Sequence, residues 1–209
     1  MKFNQIGLKK ELEEGLEMMG FETTTPIQEK VIPLILEGKD VIACAQTGTG
    51  KTAAFVLPIL SLLSEQKNNS SVKAIIITPT RELAKQIDMQ IEGFSYYTNS
   101  SSYPIYGGGT GPEFENQKQA LLKGTDIIIC TPGRLLAHLK FDYFNTNTIN
   151  YLILDEANLD LSRSQSINPY NFKLSHFFNF TFLHNYQVLL LSLQTSSKTC
   201  EPCEHDTKT

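Results

Sequence analysis

Ala45-Gln46-Thr47-Gly48-Thr49-Gly50-Lys51-Thr52, preceded by the apolar run Val41-Ile42-Ala43-Cys44, is the stretch whose reading decides the fold. A glycine-rich turn between a buried strand and a helix aims several backbone N–H groups and the positive helix end at one point, which suits a polyphosphate. Lys51 then reaches the outer phosphates as a mobile positive charge. The Thr52 hydroxyl is placed to ligate a Mg2+ that bridges them. The spacing is that of GxxxxGK[ST], except that Ala45 stands where the first glycine would be. The bare pattern also occurs in loops that bind nothing. A strand before it and the helix-compatible segment Lys51 to Leu63 after it favour nucleotide binding.

Working outward, Leu8, Leu12, Leu16 and Met19 fall at helical spacing, with Gly20 as the stop. Thr25 is placed to cap a helix that begins at Pro26, runs to about Glu37 and is closed by Gly38. Downstream of the loop, Gln66 to Ser71 reads as a solvated connection. Ala74 to Ile77 is continuously apolar, as expected of a strand covered on both faces, and Thr80 caps a helix through Gln90. A third strand is predicted near Pro104 to Tyr106, followed by Gly107-Gly108-Gly109 and a helix across Glu113 to Leu122. Asp126 to Cys130 is a further strand, after which Thr131-Pro132-Gly133-Arg134 opens a helix with a cap and a proline in its first turn. Tyr151 to Leu154 is the next, ending in Asp155-Glu156-Ala157-Asn158. This alternation implies an α/β fold with a mainly parallel sheet, helices on both faces, and ligands at the carboxyl ends of the strands.

With 209 residues the chain has one good core's worth of sequence, so one domain is expected. A net charge of -4 gives no long-range attraction for nucleic acid, so any such contact needs a local basic patch. No apolar run reaches the length of a membrane span and the N-terminus lacks a signal-peptide core, so no membrane partner and a cytoplasmic location are expected. Cys44 and Cys130 end apolar runs and read as buried core residues. Cys200 and Cys203, near His205, form a lone CxxC that is read as part of a disordered tail rather than a metal site.

The Asp155-Glu156 pair complements the phosphate loop. Asp155 suits the metal and Glu156 suits the attacking water, because nucleotide hydrolysis is mostly positioning and charge stabilisation. Alone, an acidic pair ending a strand is as often a solvated corner. Together with Lys51 and Thr52 it makes a hydrolytic site, with Lys51, Asp155 and Glu156 as catalytic residues and Thr52 and Asp155 on the metal.

Taken together, these motifs resemble the first RecA-like domain of the DEAD-box RNA helicases, from Phe3 to about Asn158. The resemblance implies a three-layer P-loop NTPase domain with ATP and Mg2+ as cofactors and RNA as partner. Phe3 followed by Gly20-Phe21 to Gln28 is similar to the family's Q motif, which implies that the Gln28 amide pairs with the adenine edge and Phe3 stacks on it. Thr24 stands where that motif usually has proline. The family's own loop form, AxTGxGKT, accounts for Ala45, and Ala45, Gln46, Thr47, Gly48, Thr49, Gly50, Lys51 and Thr52 are then ATP-binding together with Phe3, Phe21 and Gln28. Pro79-Thr80-Arg81-Glu82, Gly107-Gly108 and Thr131-Pro132-Gly133-Arg134 resemble its RNA-contacting motifs. Hydroxyls, backbone N–H groups at helix starts and one arginine each suit sugar and phosphate oxygens, hence recognition without sequence preference. Each piece alone reads equally as a helix cap with an ordinary surface arginine.

The resemblance fails after the tetrad. The fourth carboxylate of DEAD is Asn158 here, the following RMLDMGF segment is absent, and of the SAT motif after the run Gln187 to Leu193 only Ser192 is kept. Three regions are therefore expected: helices with the Q motif at 1–38, a RecA-like ATP-binding core at 39–158, and a divergent, partly disordered segment at 159–209 with a last strand at 187–193. The second RecA-like domain and its arginine fingers are absent from this reading, as in a truncated or decayed copy. Loss of an arginine finger lowers turnover by about 10³ to 10⁵ in related P-loop enzymes. The leading expectation is the ATP-binding half of an ATP-dependent RNA helicase, with unwinding only alongside a second domain. The alternative is a non-catalytic ATP- or RNA-binding fragment. An unrelated P-loop kinase or transporter ATPase is a third reading, and the adenine selectivity implied by Gln28 and Phe3 argues against it.

Overall fold

Short apolar runs become the strands β1 (Val41–Ala45), β2 (Ala74–Ile77), β3 (Ser102–Ile105), β4 (Ile127–Cys130) and β5 (Tyr151–Leu154), joined by β6 (Gln187–Leu193) and β7 (Cys203–Glu204). The helices are α1 (Lys10–Met18), α2 (Pro26–Leu36), α3 (Lys51–Ser64), α4 (Arg81–Phe94), α5 (Gly111–Lys123) and α6 (Pro132–Leu139). This is a computed structural model; it describes residues 1–46, 48–65, 71–108 and 111–156, and the backbone of 187–193 and 203–204. Thr47, Asn158, the segment Leu159 to Tyr186 and Cys200 lie outside the described residues.

The strands form one sheet in the order β3-β4-β2-β5-β6-β1-β7, parallel throughout except for the β1–β7 pair. From β1 the chain crosses over β6 and β5 to reach β2 and continues the same way to β3. It then reverses, stepping back to β4 and past β2 to β5. Crossovers between parallel strands are right-handed, so the direction of travel decides which face a connecting helix covers. Helices α3 and α4 therefore cover one face, and α5 and α6 the other.

The two cores follow this division. Val41, Ala43, Ala74, Ile76, Ile127, Ile129 and Ile153 pack with residues of α1 to α4, whereas Ile75, Ile77, Ile128, Cys130, Leu152 and Leu154 pack with Leu121 of α5 and Leu135 of α6. The register sets Ile76 beside Ile129 and Ile153, so successive residues of each strand feed alternate cores. Hence β2, β4 and β5 read as unbroken apolar runs rather than alternating ones.

Several local expectations need correction. The third strand begins at Ser102 and ends at Ile105, so Tyr106 lies beyond it. Thr80 caps α4, its hydroxyl accepting from Leu83 N at 3.2 Å. The Thr131 hydroxyl makes no such cap; at α2, Thr25 and Gln28 form a capping box in which Thr25 N donates to Gln28 Oε1 at 2.9 Å. Cys130 is buried but Cys44 only half-buried, because the alternation of β1 points it away from the core of Val41 and Ala43. Cys203, expected in a disordered tail, belongs to a two-residue strand paired with Ile42. Among the described residues no helix is long and apolar enough to cross a membrane.

Ile76 is about 1% exposed at the centre of the sheet. Ile76→Ala is expected to lower stability by roughly 2 to 5 kcal/mol in urea unfolding, whereas Met89→Ala, at an exposed position of α4, should change it by less than about 0.5 kcal/mol.

Candidate functional site

The glycine loop ends β1 and starts α3. Gly48 and Gly50 take φ of 82° and 83°, left-handed values that favour glycine, and Gly50 is the residue from which α3 springs. Thr49 Oγ1 donates to Gln46 O at 2.7 Å across the turn. A Cβ on Gly50 would stand 2.5 Å from Gln28 Nε2, so bare backbone is needed there twice over. Gln28 is 5% exposed and bridges α2 to the loop: its Nε2 donates to Gly50 O at 3.1 Å and its Oε1 accepts from Thr25 N. An amide has two N–H donors and two acceptor positions, so each end retains capacity for one further bond.

Asp155 follows β5, two strand positions from β1 and therefore roughly 10 Å away, with β6 between them. Its N–H donates to Ile77 O at 2.9 Å, and its Oδ1 accepts from Glu156 N at 3.1 Å. Glu156 has φ of 54°, a left-handed conformation costly for a residue with a Cβ and characteristic of functional corners. Burial pushes the Asp155 carboxyl up to about 6 from its ordinary 3.8; the Lys51 charge pulls it down and Glu156 raises it. A cavity of about 660 Å³ is lined by Gln28, Gly48, Gly50, Lys51, Thr52, Asp155 and Glu156, and its apolar wall includes Met19, Phe21, Leu83, Met89 and Phe94. One cleft thus offers a glycine turn, an ammonium and two carboxylates together with an apolar wall.

The oxygen donors suit a hard cation. Thr52 and Asp155 would supply a hydroxyl and a carboxylate, and a cation that drew its other ligands from phosphate and water would be Mg2+. Among the described residues, no group of three His, Cys, Asp or Glu side chains could hold a metal by itself.

The loops after β2, β4 and β3 lie side by side because these strands are neighbours. Backbone bonds continue the ladder past the strand ends: Thr78 N donates to Cys130 O at 3.0 Å and Thr131 N to Ile105 O at 3.1 Å. Pro79-Thr80-Arg81-Glu82, Gly107-Gly108 and Thr131-Pro132-Gly133-Arg134 therefore share one rim. The exposed Arg81 lies against Gly108, whose φ is 93° and where an added Cβ would meet Arg81 Nη1 at 2.3 Å. Arg134 Nε donates to Gln117 Oε1 at 2.6 Å, and its guanidinium lies 4.5 Å from the centre of the Phe114 ring.

Phe3 is not brought to the cleft. It is 4% exposed, packed in the core, and so offers no open ring face to a base. Phe21 does line the cleft, 43% exposed, with its ring edge-on to Phe94 at 5.8 Å. Thr24 N donates to Met1 O at 2.9 Å, a bond that the more usual proline could not make. Sequence reasoning missed Gln117 and His138, although a glutamine at helical spacing from Phe114 and Leu121 is a polar residue on an apolar stripe, the signal that would have found it.

A family model described as DEAD/DEAH box helicase matches residues 25–193. The chain belongs to this family. It is 44% identical over 155 residues to the DEAD-box ATP-dependent RNA helicase RhpA of Helicobacter pylori, covering 74% of this chain and 30% of that protein. To the ATP-dependent RNA helicase CshA of Listeria monocytogenes it is 44% identical over 156 residues, covering 75% and 29%. A solved structure of a DEAD box protein from Methanococcus jannaschii superposes with a TM-score of 0.79 at 35% identity, over 94% of this chain and 51% of that one. The chain thus has the RecA-like fold of DEAD-box proteins and spans about 30% of the length of its curated relatives.

An acid whose pKa is raised by folding contributes stability fully below its unfolded pKa and loses it as pH rises through the folded one. For Asp155 that window runs from 3.8 to about 6, on the order of 3 kcal/mol. Asp155→Asn is therefore expected to raise the melting temperature by roughly 5 °C or more at pH 7.5 and to leave it nearly unchanged at pH 4. Equal shifts at both pH values in thermal melts would contradict this assignment.

Proposed function

We propose that the chain is the ATP-binding domain of an ATP-dependent RNA helicase, with the cleft at the carboxyl ends of β1 and β5 holding ATP and Mg2+ and the rim after β2, β4 and β3 holding RNA. The observation that carries this reading is the convergence of Lys51, Thr52, Asp155, Glu156 and Gln28 on one cleft. The relatives named above as ATP-dependent RNA helicases support it. Phe21 and the apolar wall suit a base, while the glycine turn and the α3 N-terminus suit phosphates.

The proposed division of labour rests on the chemistry of the residues that line the cleft. Lys51 and the backbone N–H groups of the loop hold the outer phosphates, and Thr52 and Asp155 would hold the Mg2+, which when bound neutralises charge developing on those phosphates. The corner conformation of Glu156 holds its carboxylate at the cleft, where it orients and deprotonates the attacking water. The site residues on the RNA rim are Pro79, Thr80, Arg81, Glu82, Gly107, Gly108, Thr131, Pro132, Gly133 and Arg134, all contacting sugar and phosphate. Unwinding is proposed for this domain acting with a second RecA-like domain, in a cytoplasmic setting.

The replacement of the last DEAD carboxylate by Asn158 favours, as a second reading, a module that binds ATP or RNA without turnover. ATP turnover with and without single-stranded RNA separates the two. For the enzyme, RNA-stimulated hydrolysis is expected, Lys51→Ala should weaken ATP binding more than 10-fold, and Glu156→Gln should keep binding while slowing turnover by about 10² or more. ATP binding with no turnover above the Glu156→Gln background would support the binding module instead.

A further inference from the structure

Behind the RNA rim, on the face covered by α5 and α6, lies a buried polar chain that the nucleotide cleft does not use. Gln117 of α5 is 4% exposed and stands at its centre. Its Oε1 accepts from Arg134 Nε at 2.6 Å and faces His138 Nε2 at 3.1 Å, while its Nε2 donates to Tyr106 O at 3.1 Å. His138, fully buried, is 2.6 Å from the Tyr143 hydroxyl through Nδ1.

Donor and acceptor chemistry, with a neutral imidazole, sets the protons in this chain. A guanidinium can only donate, so the Gln117 oxygen, not its nitrogen, must face Arg134. His138 Nε2 must then carry a proton to donate to that same oxygen, and its Nδ1 accepts from Tyr143 O–H. The imidazole is neutral, its pKa lowered to about 4 by burial and secondarily by the Arg134 charge. Phe114 completes the clamp: His138 stacks on it at 4.3 Å, and the Arg134 guanidinium lies against the same ring. Gln117 therefore ties the arginine that ends Thr131-Pro132-Gly133-Arg134 to the residue that precedes Gly107-Gly108.

We propose that Gln117 is a positioning residue for RNA binding, holding Arg134 and the Gly107-Gly108 loop at a fixed separation so that both meet one RNA backbone. This rests on the RNA reading of the rim. A free arginine must be ordered when it grips a phosphate, at a cost in side-chain entropy. An arginine already held through Nε, with its plane set by Phe114, has less freedom left to lose.

The test uses the full chain and a fluorescein-labelled ten-nucleotide oligouridylate, with binding followed by anisotropy over a salt series. Gln117→Met, which keeps the length and removes the hydrogen bonds, is expected to weaken binding about 3- to 10-fold. It should also reduce the slope of log affinity against log salt by about 0.7, the loss of one phosphate contact on a single strand. Arg134→Ala should do the same, and the double variant should lose less than the product of the two single losses, because part of the Gln117 effect runs through Arg134 and part through the Gly107-Gly108 loop. Should the Gln117 variant fold poorly, the wild-type protein answers directly. The Arg134 Nε–H resonance, assigned by its loss in Arg134→Lys, should exchange with solvent at least 10-fold more slowly than that of the exposed Arg81. Wild-type affinity and slope in Gln117→Met while Arg134→Ala is weakened, multiplied losses in the double variant, or equal exchange of the two arginines would overturn the proposal alone. Unchanged affinity in Arg134→Ala would overturn the RNA reading of this motif and the proposal with it.

Discussion

The handedness of the crossovers is the constraint on which the rest of this structure depends. A parallel sheet must be covered on both faces, and a right-handed connection can change face only where the chain changes its direction of travel across the sheet. Here that change comes at β3, after two steps one way and before two steps back. It puts α3 and α4 on one side, α5 and α6 on the other, and every β-to-α loop on a single rim. Chemistry at that rim needs no further architectural device. The glycine turn, the Asp155-Glu156 corner and the three loops after β2, β4 and β3 meet there because parallel strands all end in the same direction.

The rim is locally unfavourable in ways the interior is not. Asp155 is a buried carboxylate whose charged form is penalised, Glu156 occupies a backbone region that glycine favours, and Gly50 has no room for a side chain. Each departs from what stability alone would select. The isoleucine-rich strands beneath them, buried on both faces, offset these local costs and keep the corner from relaxing. The bonds that continue the ladder beyond β5, β2 and β4 add rigidity at the point of transition, since Asp155, Thr78 and Thr131 each donate to the last residue of the neighbouring strand.

Much of this was legible in the sequence because the signals are local. The strand, glycine turn and helix around Lys51 are contiguous, and so are the runs that became β2, β4 and β5. Strand order is not local, so the insertion of β6 between β1 and β5 could not be read from any window of residues. The same holds for Gln117 and His138, whose meaning lies in partners from another helix and from the loop after β3. Phe3 illustrates the opposite case. Its place in a motif implied a role at the base, whereas Phe3 is buried in the core and Phe21 is the aromatic that lines the cleft. The threonine before α6 occupies a capping position without making a capping bond, since residue type sets what a side chain can do and the local rotamer decides whether it does.

The central claim is that the cleft between the glycine loop and Asp155 is a site for an adenine nucleotide with Mg2+. Thermal unfolding in the presence of ATP or GTP, each with and without Mg2+, tests it most directly, because a ligand that binds only the folded state raises the melting temperature, and at equal concentration the tighter ligand raises it more. A clear rise is expected with ATP and Mg2+, a smaller one with ATP when the cation is chelated, and little with GTP. Equal stabilisation by ATP and GTP would contradict the adenine site, and no shift with any nucleotide would contradict the cleft as a nucleotide site altogether.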